Sequence, residues 1–264
     1  MEQNSIKGIP YGLTDYTRLA RENYYYVDKT HFIPLIEQFA SYLFLIRPRR
    51  FGKTLLINML AAYYDINNAD RFEELFGEQW IYEHPTSLRA KFMILRFNFS
   101  AVNSTPGRLE ESFEKHCTER FVEFANNYEH LFQPGFREEL MSRTLASERL
   151  DYINSTASRL RLRIYLIIDE YDTPIQQGYQ KDYYDKVIRF MRNLFSGGFK
   201  DNQHLSFGFL TGILRVAKES IFSGMNNLSI NSVLDNKYSA YFGFTADEVM
   251  EMAEYYGAAD KYDE

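Results

Sequence analysis

The chain has 264 residues, 45% hydrophobic and 25% charged, enough for one large α/β domain with a sizeable core. Its net charge of −6 argues against a broadly basic nucleic-acid footprint, and no apolar run approaches the ~18 residues of a membrane span. A single cysteine, Cys117, excludes an internal disulfide framework and, with no signal-peptide pattern, fits a reducing cytoplasm.

The 21 Tyr and 22 Phe read as core and half-buried surface. Residues 1–30 are broken by Gly8, Pro10 and Gly12. Asp28 is an N-cap candidate for a helix over 30–39 that carries Phe32, Leu35, Ile36 and Phe39 at helical spacing. Because it precedes the first strong strand, Tyr24–Asp28 is a candidate for a nucleotide-base pocket, with ordinary packing as the alternative.

The most informative stretch follows. Tyr42–Ile46 is an apolar run, then come Arg47-Pro48-Arg49-Arg50-Phe51-Gly52-Lys53-Thr54 and an apolar helix opening at Leu55. Strand, tight loop, Gly-Lys-Thr and helix is the layout of a phosphate-binding P-loop. Within Pro48–Leu55 the loop and helix N–H groups, which Pro48 itself lacks, would cradle an anion. Gly52 permits close backbone approach, Lys53 reaches the terminal phosphates, and the Thr54 hydroxyl ligates Mg²⁺. The glycine that usually opens the loop is replaced by Arg47.

Residues 65–90 read as an insertion of short helices, and Lys91–Phe99 as a second strand ending in polar Asn98 and Ser100. Residues 107–128 and 135–161 read as amphipathic helices separated by Gln133-Pro134-Gly135. Within the first, Cys117 is read as structural. The five histidines (31, 84, 116, 130 and 204) lack metal-ligand spacing and read as structural or surface residues.

A second apolar run, Ile164–Ile168, ends in Asp169-Glu170. After an upstream P-loop, such a first acid holds the Mg²⁺ water shell and the next polarises the attacking water. Asp172 has three open readings: it orients Glu170, binds a basic side chain, or caps the following segment.

A helix over 181–195 is expected to end at Gly197-Gly198. Strand 205–211 ends in polar Thr211. Arg215 and Lys218 follow, then a fifth strand over 238–243 and a helix with a Thr245/Glu248 capping box. The repeated strand–helix alternation predicts a parallel sheet wrapped by helices.

Four segments in order, Arg47–Thr54, Ile168–Pro174, Leu210–Arg215 and Ile221–Leu228, together resemble the AAA-ATPase-like family of bacterial P-loop ATPases. Gly8–Gly12 and Tyr26–Thr30 match as well, so the resemblance covers nearly all of residues 6–255. In that family arginine at the position of Arg47 is usual. The resemblance implies a three-layer α/β/α P-loop NTPase fold with strand order 5-1-4-3-2 and helical insertions. Its cofactors would be ATP and Mg²⁺, bound through Lys53 and Thr54. Asp169 and Glu170 would form the Walker B pair, Thr211 the sensor, and Arg215 a sensor or finger arginine.

Residues 1–244 are then the ATPase domain, and 245–264 the start of a helical or winged-helix segment cut short. Full-length relatives usually carry a C-terminal PD-(D/E)XK nuclease-like domain. The expected function is Mg-ATP binding and hydrolysis as a molecular switch. The alternatives are a non-catalytic ADP/ATP-binding regulatory or scaffold module, and a DNA-associated ATPase coupled to the nuclease-like domain. An oligomer is compatible with a finger arginine acting in trans, and a membrane partner is not expected.

Overall fold

The computed structural model describes residues 6–39, 42–102, 107–199, 205–213, 228–232 and 235–261. Its centre is one sheet of parallel strands: β1 (Tyr42–Ile46), β2 (Met93–Asn98), β3 (Ile164–Asp169), β4 (Leu205–Gly212) and β5 (Leu228–Asn231). The spatial order is β2-β3-β4-β1-β5, which counted from the β5 edge is 5-1-4-3-2.

Alternation sends each strand's side chains to two separate cores. Tyr42, Phe44 and Ile46 of β1 and Ile164, Leu166 and Ile168 of β3 enter one core. It is closed by α6 (Leu109–Tyr128), α7 (Phe136–Met141), α8 (Ala146–Arg159), α9 (Thr173–Gln180) and α10 (Tyr184–Phe199). Leu43, Leu45, Tyr165 and Ile167 enter the other. That face carries α1 (Tyr16–Arg21), α2 (Phe32–Phe39), α3 (Lys53–Tyr64), α4 (Phe72–Phe76) and α5 (Trp80–Glu83). Because both faces are covered, β1 and β3 are buried at every position, which explains their unbroken apolar sequences. Edge strand β2 alternates buried with half-buried residues, leaving Arg96 and Asn98 partly open.

Three expected elements differ. The fifth strand is Leu228–Asn231, not 238–243; the latter lies largely in a 3₁₀ stretch, Asn236–Tyr241. Its aromatic rings pack edge-on and face-on against Phe32 of α2, with centroids 5.1 Å (Tyr238) and 4.7 Å (Tyr241) away. The helix expected over 135–161 is two, α7 and α8, because α8 restarts with its own cap. The Glu148 carboxylate accepts from Leu145 N (3.1 Å) and the Glu114 carboxylate from Ala146 N (2.9 Å). Gly197 and Gly198 lie inside α10 and do not end it, and α9 is an additional helix after the acid pair. Arg215, Lys218, Phe222–Asn227 and His204 lie outside the described residues.

Asp28 caps a turn ahead of α2, its carboxylate accepting from Thr30 N (2.7 Å) and from Trp80 N (2.6 Å). The next residue, Lys29, is buried. Its ammonium donates to Ala240 O (2.6 Å) and to the Glu248 carboxylate of α11 (Ala246–Tyr255). Glu248 also accepts from Thr245 N at 2.8 Å. Burial pushes the Glu248 carboxyl up, but the bonds from Lys29 and Thr245 outweigh it and hold the group below its ordinary value. A carboxyl depressed on folding stabilises the protein above its unfolded pKa of about 4.3, and that contribution disappears as pH falls through the folded value. Glu248→Gln is therefore expected to cost about 2 kcal/mol at pH 7. The gap from the parent should be smaller at a pH below the lowered folded value than at pH 7. Urea unfolding of both proteins at the two pH values checks this, and a gap independent of pH would rule it out.

Among the described residues no helix is long and apolar enough to cross a membrane.

Candidate functional site

In a parallel sheet all strands end on one edge, and here that edge gathers the polar residues the strands terminate in. Asn98 of β2 is registered with Asp169 of β3, and Leu45 of β1 with Thr211 of β4. Strand β4 lies between β1 and β3, and both of their following loops are stitched to its end. Arg47 N donates to Gly212 O (3.1 Å) and Tyr171 N donates to Thr211 O (3.2 Å).

The loop after β1 turns into α3 at Gly52, whose φ of +73° is left-handed. Arg50 also has positive φ, +68°. Pro48, Arg49, Arg50 and Phe51 are exposed along the loop, and Leu55 is half-buried in the first turn of α3. Lys53 is buried, and its ammonium closes the loop on itself by donating to Arg47 O (2.9 Å) and Pro48 O (2.8 Å). Burial lowers its pKa, opposed by the Glu170, Asp169 and Asp172 carboxylates, while Arg49 adds to the drop.

Arg47 does not face the loop's interior. It is buried and donates to Asn231 Oδ1 of β5 (2.6 Å), Asn231 O (3.3 Å) and Ile46 O (2.9 Å). Its guanidinium lies 4.8 Å from the centre of the Phe242 ring. The residue that replaces the usual glycine is thus a strut joining the loop to β5 and the turn at 242.

Asp169 is fully buried at the end of β3. Its Oδ1 accepts from Thr211 Oγ1 at 2.5 Å and its Oδ2 from Thr54 Oγ1 at 3.3 Å. Thr54 and Asp169 are hard oxygen donors facing each other, which fits Mg²⁺ held by few protein ligands with phosphates and water completing the shell. Among the described residues no cluster of three or more His, Cys, Asp or Glu side chains could hold a metal ion.

Glu170 has φ +54°, a left-handed conformation for a non-glycine residue that costs on the order of 1–2 kcal/mol. It is held there by Thr173 N donating to Glu170 O (3.2 Å) and Thr173 Oγ1 to its carboxylate (3.0 Å). Asp172 is buried behind the site, where its Oδ2 accepts from Ile213 N and Gln176 Nε2, both at 2.9 Å. These two bonds make Asp172 a brace between the acid turn, α9 and the end of β4.

Gly212 makes that brace possible. A Cβ there would lie 2.4 Å from a Tyr171 ring carbon and 2.9 Å from Asp172 Oδ1. Gly212→Ala must displace the turn that carries Glu170 and is expected to destabilise by about 1–3 kcal/mol. A denaturant midpoint equal to the parent's would show that the turn yields freely.

Tyr25 and Tyr26 of the Tyr24–Asp28 segment pack against other aromatic rings. The Tyr25 ring lies 4.8 Å from that of Tyr255, and Tyr26 lies 5.5 Å from Tyr16. A cavity of about 270 Å³ lined by Lys7, Tyr24, Tyr25, Tyr26 and Asp28, among others, includes no residue of 47–55.

Sequence reasoning missed Arg96. From β2 its Nη2 comes within 3.9 Å of Asp169 Oδ2, and its Nη1 donates to Asn58 Oδ1 of α3. The available signal was a lone arginine inside an otherwise apolar strand, on the face shared with Asn98.

A family model described as "Predicted AAA-ATPase" matches residues 10–222 of the chain. The chain is 30% identical over 263 residues to an uncharacterized protein in the vnfD 5′ region of Azotobacter chroococcum mcd 1, an alignment covering 93% of the chain and 44% of that protein. The chain thus spans less than half the length of the curated relative it matches. No solved structure matches.

Proposed function

Because this chain belongs to the predicted AAA-ATPase family, we propose that it binds Mg-ATP in the 47–55 loop and hydrolyses it as a molecular switch. The observation that carries this reading is the convergence of Thr54, Asp169 and Thr211 at one sheet edge, with Lys53 capping the loop beside them. Mg²⁺, when bound, neutralises charge on the β- and γ-phosphates.

The chain's own groups do the rest. Lys53 exchanges the carbonyls of Arg47 and Pro48 for phosphate oxygens, which are stronger acceptors for an ammonium. Backbone N–H groups at the start of α3 face the same anion. Glu170 takes a proton from water as that water attacks the γ-phosphorus, and ADP leaves with the broken β–γ bridge oxygen. Thr211 fixes the rotamer of Asp169 by its short hydrogen bond, so the Asp169 oxygen shared with Thr54 keeps its aim.

The deciding experiment is an Mg-ATP titration by calorimetry run beside phosphate release on the same sample. Saturable binding with turnover supports the switch. Binding without turnover, with ADP retained through purification, favours the non-catalytic module, and no binding removes both readings.

A further inference from the structure

Asp169 is a fully buried carboxylate, and a buried charge needs a partner. Lys53 is directed at loop carbonyls, so among the described residues the cation paired with Asp169 is Arg96. The contact is made to Oδ2, the oxygen that also accepts from Thr54. Arg96 therefore stands against the two groups that would hold a divalent ion.

It is not a loosely placed side chain. Arg96 lies mid-strand with Ile167 as its neighbour across the ladder, on the sheet face of Asp169. Its Nη1 is bonded to Asn58, and Asn58 Nδ2 donates to Thr14 O (2.5 Å). One third of the side chain remains exposed, which leaves it a way out toward solvent.

Resting on the Mg-ATP reading above, we propose that Arg96 is a positioning residue that supplies the counter-charge of Asp169 and excludes bare divalent cations. Metal then enters only with nucleotide. A free cation arriving beside Thr54 meets a guanidinium a few ångströms away. The nucleotide's phosphates bring enough negative charge to offset both cations. Arg96 also orients Asp169 before nucleotide arrives, so the carboxylate need not turn on binding.

The probe is Mn²⁺ without nucleotide, followed by the electron paramagnetic resonance of the free ion, on the full chain and on Arg96→Met and Arg96→Gln. Both variants are expected to bind Mn²⁺ at least about tenfold more tightly than the parent, while Arg96→Lys keeps the exclusion. The gain should vanish when Asp169→Asn is added. A gain in affinity does not arise from misfolding, so it separates this role from a merely structural one. If parent and variants bind Mn-ATP but the neutral variants show no gain for Mn²⁺ alone, the role of Arg96 is overturned and the nucleotide reading stands. If none binds Mn-ATP, both are overturned.

Discussion

Lys53→Ala is expected to weaken Mg-ATP binding by at least about a hundredfold, ~3 kcal/mol, since a hydrogen bond to a charged group contributes about 1.5–3 kcal/mol. The ammonium is buried and already committed to two carbonyl oxygens at 2.8–2.9 Å, so its bonding geometry is set before ligand arrives. Burial favours its neutral form, but three carboxylates oppose that shift and favour the charge that phosphate requires. The substitution removes both the closing contact of the loop and the cation. Calorimetric titration reads the effect directly. A variant that binds Mg-ATP as tightly as the parent would show that the loop is not the phosphate site.

Glu170→Gln is expected to separate binding from turnover. The amide keeps the size and can keep the bond from Thr173 Oγ1, so affinity for Mg-ATP should stay within about threefold of the parent. What it loses is proton acceptance, which general-base catalysis values at about 10²–10⁴ in rate. Single-turnover phosphate release should fall by that range while the calorimetric isotherm is preserved. The neighbouring carboxylate is poorly placed to substitute, because Asp172 is turned inward toward Ile213 N and Gln176. Unchanged hydrolysis would remove Glu170 as the base.

The strain at Glu170 bears on the same test. Its φ is left-handed, and the turn is clamped by Tyr171 N on Thr211 O and by Thr173 N on Glu170 O. Residues held in a sparsely populated conformation by surrounding bonds cluster at functional turns. Gly212 belongs to this clamp, which is why a single methyl group there is expected to disturb the acid turn from a neighbouring strand.

Much of the frame was legible one residue at a time. Unbroken apolar runs at Tyr42–Ile46 and Ile164–Ile168 announce strands buried on both faces, and Gly-Lys-Thr and Asp-Glu mark the turns that follow them. Both signals are local, because burial pattern and end residues lie within one element. The β5 edge strand was not legible. Leu228–Asn231 is four residues long, whereas the aromatic run after it has the better strand composition but spends its rings on α2. The same limit hid the break between α7 and α8, whose cap uses Glu114 from another helix.

What the chain by itself determined is the set of strands β1 to β4, the helical layers and the polar residues that end the strands. What only the tertiary structure decided is which partner each buried cation meets. Arg47 finds Asn231 and Arg96 finds Asp169 because parallel register sets neighbouring strands side by side, Lys29 finds Glu248 where α11 meets the turn before α2, and low-dielectric burial penalises any charge left alone there. Periodicity along the chain carries no record of such pairings, since each joins elements far apart in the sequence.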